Sequence, residues 1–311
     1  MTVKIVTDST ADLPPNIARQ LDITIVPAYI NINGTAYRDG VDISQDELYQ
    51  KITEDKFNIS TSQPPPHDFI QKYRKLLTDT DQILSIHVTS KLSGIYSSAL
   101  QAREMMGEGS KIEILDSISV SMGMGMIAMT AARLAHSGAN LARVLEESLQ
   151  VRNAMHIWGM FDTLKYVLKG GRLGKARNLI SSVINVKPLI TMRDGVFHPS
   201  GFARTRLKGI DKLFDNLSTF SGVEEAGVIY STDAKEARSV RDRLATLIGE
   251  DKVYISRLGA ALGVHGGPGT LALAVRENIL QPMARVFDKN NERAAPLPPD
   301  YKTSGFNLSL D

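Results

Sequence analysis

The sequence predicts an α/β protein of two sheet-based domains, the first doubly wound around a parallel sheet and the second built on a mixed sheet. Three observations predict it. The 311 residues make two domains the natural count at about 150 residues each. Up to about residue 153, short β-branched runs alternate with longer segments of helical period, the grammar of strands joined by helical crossovers. Beyond it, Lys187 to Met192, the turn Arg193-Asp194-Gly195 and Val196-Phe197-His198 signal a hairpin and therefore antiparallel pairing.

In order along the chain, Val3 to Thr7 reads as a buried strand, Asp8-Ser9-Thr10 as a turn, and Pro14-Pro15 as the opening of a helix. Ile23 to Ile32 carries strand residues, and Asn33-Gly34 turns the chain before Thr35-Ala36-Tyr37. Ser44 with Glu47 is a capping box for a helix from Gln45 to Ile52, and Asn58 to Pro66 reads as a polar break. A helix over Asp68 to Leu77, a strand over Gln82 to Val88, a loop over Thr89 to Gly94 and a helix over Tyr96 to Met106 follow. The strand Lys111 to Leu115 precedes helices over Met122 to Ala135 and Leu141 to Arg152. In the second half come a strand over Met155 to Phe161, a helix through Leu168, the glycine-rich Lys169-Gly170-Gly171-Arg172 and the hairpin. A helix over Leu207 to Leu217, a strand over Glu225 to Tyr230, a helix over Ala234 to Ile248 and a strand over Val253 to Arg257 complete the reading. The expected domains are 1–155 and 156–285, with an extended tail over 286–311 where periodicity fails and Ala294-Ala295-Pro296-Leu297-Pro298-Pro299 begins.

Composition excludes several classes of chemistry. With no cysteine, disulfides, thiolate metal sites, iron–sulfur clusters and cysteine nucleophiles are ruled out. A balance of 36 Lys+Arg against 34 Asp+Glu gives no sequence-wide pull toward nucleic acid. The N-terminus turns polar too soon for a signal peptide, and the apolar run near Ser121 to Ala135 is too short to span a bilayer, so the protein is expected in the cytoplasm. Gly170-Gly171-Arg172-Leu173-Gly174-Lys175-Ala176 lacks a spacer and the Ser/Thr of a phosphate loop. Met122-Gly123-Met124-Gly125-Met126 lacks the third glycine of a dinucleotide fingerprint, and its glycines are expected to serve close helix packing. The six histidines show no ligand-like spacing, and no metal site is expected.

What remains is hydroxyl, imidazole and arginine chemistry. Four small polar clusters fall where a parallel sheet places its ligands, in turns after strand ends: Asp8-Ser9-Thr10, Ser60-Thr61-Ser62-Gln63-Pro64, Ser90-Lys91-Leu92-Ser93-Gly94 and Asp116-Ser117. Each is also ordinary turn and cap composition. Ser93-Gly94 stands out because a helix start offers free N–H groups and the positive end of a dipole to an anion. His265, in Gly263-Val264-His265-Gly266-Gly267-Pro268-Gly269, sits where glycines allow close backbone approach to a ligand. Basic clusters at Lys169, Arg172, Lys175, Arg177 and at Arg204, Arg206, Lys208 suit an anionic ligand, an acidic partner or simply solvent.

Read together and in order, these pieces resemble the DegV family of bacterial fatty-acid-binding proteins. The matching segments are Thr7-Asp8-Ser9-Thr10-Ala11-Asp12-Leu13-Pro14, Thr61-Ser62-Gln63-Pro64, Leu92-Ser93-Gly94-Ile95-Tyr96-Ser97-Ser98-Ala99, Phe161-Asp162-Thr163-Leu164 through Gly170-Gly171-Arg172, Lys187-Pro188, and His265-Gly266-Gly267-Pro268-Gly269. The resemblance implies a DegV-like fold, with a Rossmann-like first domain, and a long-chain fatty acid such as palmitate or oleate held between the domains. It implies that Thr61 and Ser93 bind the carboxylate with Ser62 and His265 close by, and that Asp8, Ser9 and Gly94 support them. It implies no cofactor and no catalysis by this chain. A separate ATP-dependent fatty acid kinase would phosphorylate the presented carboxylate, with Arg172, Arg204 and Arg206 docking that partner or steadying the phosphate. Lipid transport with transient contact at a membrane surface is part of the same expectation. Two rivals stay open. One is a dihydroxyacetone-kinase-like enzyme using His265 or Asp8 on a small carbonyl or phosphorylated substrate, and the other is a lipid-responsive interaction protein without a kinase.

Overall fold

Two sheets of different character face one central helix in the computed structural model, which describes residues 2–278 apart from 55, 108–110, 173 and 176–185. The expected tail over 286–311, and Arg177 of the first basic cluster, lie outside the described residues. The first half contains β1 (Lys4–Asp8), α1 (Pro15–Gln20), β2 (Ile23–Val26), β3 (Tyr29–Ile32), β4 (Thr35–Arg38), α2 (Gln45–Thr53), β5 (Ile59–Ser62) and α3 (Pro66–Leu76). It continues with β6 (Gln82–His87), α4 (Ile95–Met106), β7 (Lys111–Asp116), α5 (Ser121–His136) and α6 (Leu141–Asn153). The second half contains β8 (Met155–Met160), α7 (Lys165–Lys169), β9 (Lys187–Arg193), β10 (Val196–Ala203), α8 (Arg206–Asp215), β11 (Val223–Tyr230), α9 (Ala234–Ile248), β12 (Val253–Arg257), α10 (Ala260–Gly266) and β13 (Leu271–Glu277).

Strands β2-β1-β6-β7 form an all-parallel sheet, with Ile5 of β1 opposite Ile23 and Leu84. Its central strands are apolar in succession because helices cover both faces; Ile83, Leu84 and Ile86 are fully buried. The second sheet, ordered β10-β9-β8-β13-β11-β12, is mixed: only β11 and β12 run parallel. A small third sheet, β4-β3-β5, is antiparallel throughout and packs with α2 around a core of its own.

Helix α5 is apolar on every side over residues 122–129 because it is buried on every side there, between β1 of the parallel sheet and β8, β11 and β13 of the mixed one. Its glycines are the points of closest approach. A Cβ on Gly123 would lie 2.6 Å from Ile157, and one on Gly125 would lie 2.8 Å from the Ala11 carbonyl. Met122, Met124, Met126 and Met129 are all fully buried core.

Three elements differ from the sequence reading. The polar break over Asn58 to Pro66 contains β5, which pairs antiparallel with β3. Thr61 and Ser62 therefore stand on a strand and not in a turn after a parallel strand. The glycine-rich segment holding His265 begins as α10, and the unassigned stretch beyond it is β13, the strand that joins β8 to β11. Leu271-Ala272-Leu273-Ala274-Val275 is buried along its length, so it shows no polar alternation, and its alanines carry weak strand preference.

Candidate functional site

A cavity opens at the carboxyl ends of the parallel strands, where the loops after β1, β6 and β7 meet the face of the mixed sheet. It encloses about 1110 Å³ of empty space, open solvent at its mouth included. Its floor is one row across the mixed sheet, Ile190, Gly159, Ala272 and Ile229, each paired with the next. The two middle positions are the smallest side chains of the row, so the floor dips at its centre. Phe161, Val167 and Phe197 close one side, and Val88, Ile95 and Leu258 belong to the facing elements.

One part of the lining is polar. Thr61, Ser62, Ser93, Gly94, Arg172 and His265 all line the cavity, although they come from β5, the start of α4, the loop after α7, and α10. Ser98 pins the loop after β5 to α4 by donating to the Pro64 carbonyl at 2.5 Å. Gly94 lets the two approach: a Cβ there would lie 3.0 Å from the Gln63 side chain. Helix α4 has no side-chain cap at Gly94, which leaves first-turn N–H groups without an intrahelical acceptor. Ser93 Oγ accepts only a long bond, 3.3 Å, from the Ile95 N–H.

Thr61 Oγ1 and His265 Nε2 are 2.8 Å apart. The other ring nitrogen, Nδ1, is buried without a hydrogen-bond partner and lies against Gly170, where a Cβ would come within 2.0 Å of it. Burial, and then the positive charge of Arg172, hold the imidazole down to about 4, so it is neutral at pH 7. A bare buried lone pair is tolerated better than a bare buried N–H. The tautomer that fits is therefore Nε2–H donating to Thr61 Oγ1, which frees the Thr61 hydroxyl proton for another acceptor. Arg172 is exposed at the rim, where its guanidinium bonds the carbonyls of Gly170 (2.6 Å) and Leu92 (3.4 Å).

Of the site residues implied by the resemblance, Asp8, Ser9, Arg204 and Arg206 do not line the cavity. Asp8 is fully buried and accepts from Thr10 and from the Val88 N–H, with His87 Nδ1 3.0 Å away; Ser9 bonds Asp39 and the Ala28 N–H. Both fix the backbone one layer beneath the lining residues Thr10, Ala28 and Val88. Arg206 is engaged by both oxygens of Glu236 at 2.6 Å, by Asp162 at 2.9 Å and by the Gly269 carbonyl at 2.8 Å. Arg204 is exposed beside it. Among the described residues no cluster of His, Asp and Glu could hold a metal ion, and no helix is long and apolar enough to cross a membrane. Sequence reasoning missed Gly170, whose bare backbone seats the His265 ring. It also missed Gly159 and Ala272, small residues whose register beneath one cavity only the sheet pairing reveals.

Comparison with known proteins agrees across the described chain. A family model described as an uncharacterised protein of the DegV family matches residues 2–278. A DegV domain-containing protein of Caldanaerobacter subterraneus is 32% identical over 283 residues, spanning 88% of this chain and 99% of its own. The structure of a DegV family protein of Thermus thermophilus, described for its fatty acid binding, superposes with a TM-score of 0.84 at 32% identity, covering 89% of this chain and 100% of its own. DegV of Bacillus subtilis, described as a fatty acid binding protein, gives 0.81 at 28% identity over 89% and 100% of the two chains. A stearic-acid-binding protein of Eubacterium ventriosum gives 0.78 at 26% identity over 88% and 98%.

Proposed function

The chain belongs to the DegV family, and from that premise we propose that it binds a long-chain fatty acid in the cavity with the carboxylate at the Thr61–His265 end. The observation that carries this reading is a largely apolar cavity lined also by Thr61, Ser62, Ser93 and His265, which come from three separate elements. Burying each methylene contributes about 0.8 kcal/mol, so the chain supplies most of the affinity and a few donors set the orientation. Thr61 and Ser93 offer hydroxyl donors, Ser62 a third, and His265 orients Thr61 from behind. Asp8, Ser9 and Gly94 hold the supporting backbone. The relatives described as fatty-acid-binding support the same ligand class.

Neutral donors leave a carboxylate oxygen accessible where a bidentate arginine would cover both. That suits a carrier that does no chemistry itself and presents the carboxylate to a separate ATP-dependent fatty acid kinase. Arg172 at the rim and the exposed Arg204 are the side chains proposed to meet that partner, together with Arg206, which Glu236 and Asp162 hold in place. In this reading the described parts of the two expected domains, 2–155 and 156–278, act as the two jaws of the clamp. The apolar walls favour a carrier over an enzyme of small polar carbonyl compounds.

The test is organic extraction of the purified protein followed by mass spectrometry, with about one fatty acid expected per chain. A protein that is free of lipid, and that after delipidation ignores added palmitate and oleate, would sink the proposal. Docking is tested separately: Arg172→Glu should abolish co-purification with the kinase at low salt while leaving lipid content unchanged.

A further inference from the structure

We propose that Asp12 and Asp39 form a buried two-carboxyl latch that fixes the start of α10, making both of them positioning residues for His265. The latch is a matter of geometry, and only its consequence for ligand release rests on the fatty-acid reading.

Helix α10 has 7 residues and carries His265 in its last turn, and a helix that short does not hold itself in water. Its position must come from its surroundings. On one side Ala260 and Val264 pack with Ile30, Leu48 and Tyr49 in the core of the small sheet. At its start, the Gly259 N–H donates to Asp12 Oδ1 at 2.9 Å and the Ala260 N–H donates to Asp39 Oδ1 at 3.2 Å. Each remaining carboxyl oxygen is taken by a hydroxyl: Ser121 donates to Asp12 at 2.5 Å, and Ser9 donates to Asp39 at 2.8 Å. Ser121 itself lines the cavity.

Three features mark this as more than ordinary helix capping. The carboxyls reach α10 from 247 and 221 residues away in sequence, so they tie the first half of the chain to the second. Both are buried, at 7% and 6% exposure, and what meets them is hydroxyl and backbone N–H. Burial raises both carboxyl pKa values, that of Asp12 well above its ordinary value, with Asp8 adding repulsion to both and Asp39 adding it to Asp12. Asp12 and Ser121, which bond each other, both sit at φ 50, a left-handed conformation that non-glycine residues hold only when their surroundings impose it. Gly259 completes the fit. Its φ of −61 suits any residue, yet a Cβ there would lie 2.6 Å from Asp12 Oδ1 and 3.6 Å from Asp39 Oδ2.

The pair acts by accepting hydrogen bonds, so the amide isostere should serve where alanine cannot. The experiment follows the His265 imidazole by NMR titration in Asp12→Ala, Asp39→Ala and the two Asn variants, all delipidated. In the Ala variants α10 loosens, water reaches the ring, and its pKa should climb from about 4 by about one pH unit or more toward the ordinary range. The Asn variants should stay with wild type. Val240→Ala, in the distant core beside α9, lowers overall stability and should leave His265 unmoved. Gly259→Ala should raise the His265 pKa in the wild-type background and add nothing in Asp12→Ala, a non-additivity expected of groups in contact. Release of bound palmitate should speed up about tenfold in the Ala variants, a tenfold change being about 1.4 kcal/mol. An unmoved His265 pKa in both Ala variants, or failure of both Asn variants to restore it, would overturn the latch. A wild type that binds no fatty acid overturns the functional reading alone, because the titration still decides the latch.

Discussion

His265→Gln isolates one buried imidazole and makes its electrostatic cost measurable. In the folded protein His265 is held down to about 4, first by burial and then by Arg172, against 6.5 in the ordinary range. The unfolded chain therefore binds the extra proton first. Above pH 6.5 neither state is charged and the full stability is present; as pH falls from 6.5 toward 4 the unfolded state gains protons that the folded state refuses. At 1.36 kcal/mol per pH unit, the stretch from 6.5 down to pH 5 should remove about 2 kcal/mol of folding stability. Asp12 and Asp39 have the opposite sign, since their raised values make them most stabilising at low pH, and both are present in each protein. The comparison of wild type with the variant cancels them. Urea unfolding of delipidated protein at pH 7 and pH 5 should show wild type losing about 2 kcal/mol more than His265→Gln between the two conditions. Parallel losses would mean that the ring is solvated or charged in the folded state, and the proposed tautomer with its donor relay to Thr61 would fall with it.

Thr61→Val keeps the shape of the side chain and removes its hydroxyl. A lost hydrogen bond to a charged group costs about 1.5–3 kcal/mol, so palmitate rebinding should weaken by at least about tenfold; an unchanged Kd would remove Thr61 from the head-group end. Ala272→Leu fills the dip at the centre of the floor row. Lipid extracted from it should shift to shorter chains at about 0.8 kcal/mol per excluded methylene, and an unchanged lipid profile would place the acyl chain elsewhere. Tyr73→Phe removes the buried hydroxyl that donates to Ser85 at 2.8 Å, at the far end of the Ser85–His87–Asp8 chain. It should cost about 1–2 kcal/mol by urea unfolding and leave palmitate affinity as it was; a tenfold loss of affinity would make that network part of the ligand site.

How much of this was legible in the sequence depended on the range of the cause. The capping box at Ser44 and Glu47 forms as read, because all of its partners lie within four residues. The turn at Asn33-Gly34 likewise closes β3 onto β4 with φ values of 50 and 88, a local requirement that only such residues meet easily. β5 was not legible. Ile59-Ser60-Thr61-Ser62 has one apolar residue in four, and it becomes a strand because β3 offers it a ladder and α10 covers Ile59. Of the site, the residue types could be picked out, since Thr, Ser and His beside glycine are unusual company. Their convergence could not. Thr61 and His265 are 204 residues apart, and Gly170 gains its meaning only when the His265 ring lies on it. Asp12 stood in a recognisable motif, yet nothing local tells a carboxyl that caps its own turn from one that caps a helix in the other half of the chain.

The polar end of the cavity gathers residues that rest on separate cores. Thr61 and His265 stand on the small sheet and α10, whose shared core holds Ile30, Leu48 and Val264. Ser93 stands before α4, whose apolar face packs into the large core around α5. Arg172 follows α7, packed with Phe161 and Ile190. A carboxylate bonded to Thr61 and Ser93, with His265 holding Thr61, would therefore bridge two of these bodies of side chains, and the two could not shift apart without breaking one of its bonds. The donors are short hydroxyls, one of them oriented by a seated imidazole, with little reach to compensate for displacement, whereas a long arginine could follow the ligand as the bodies shift. Short donors make head-group binding report the alignment of the cores, while the apolar slot tolerates small shifts through many weak contacts. Orientation should accordingly be lost before retention when the cores are loosened, which is the order a carrier requires if it is to hold its lipid until the carboxylate is correctly offered.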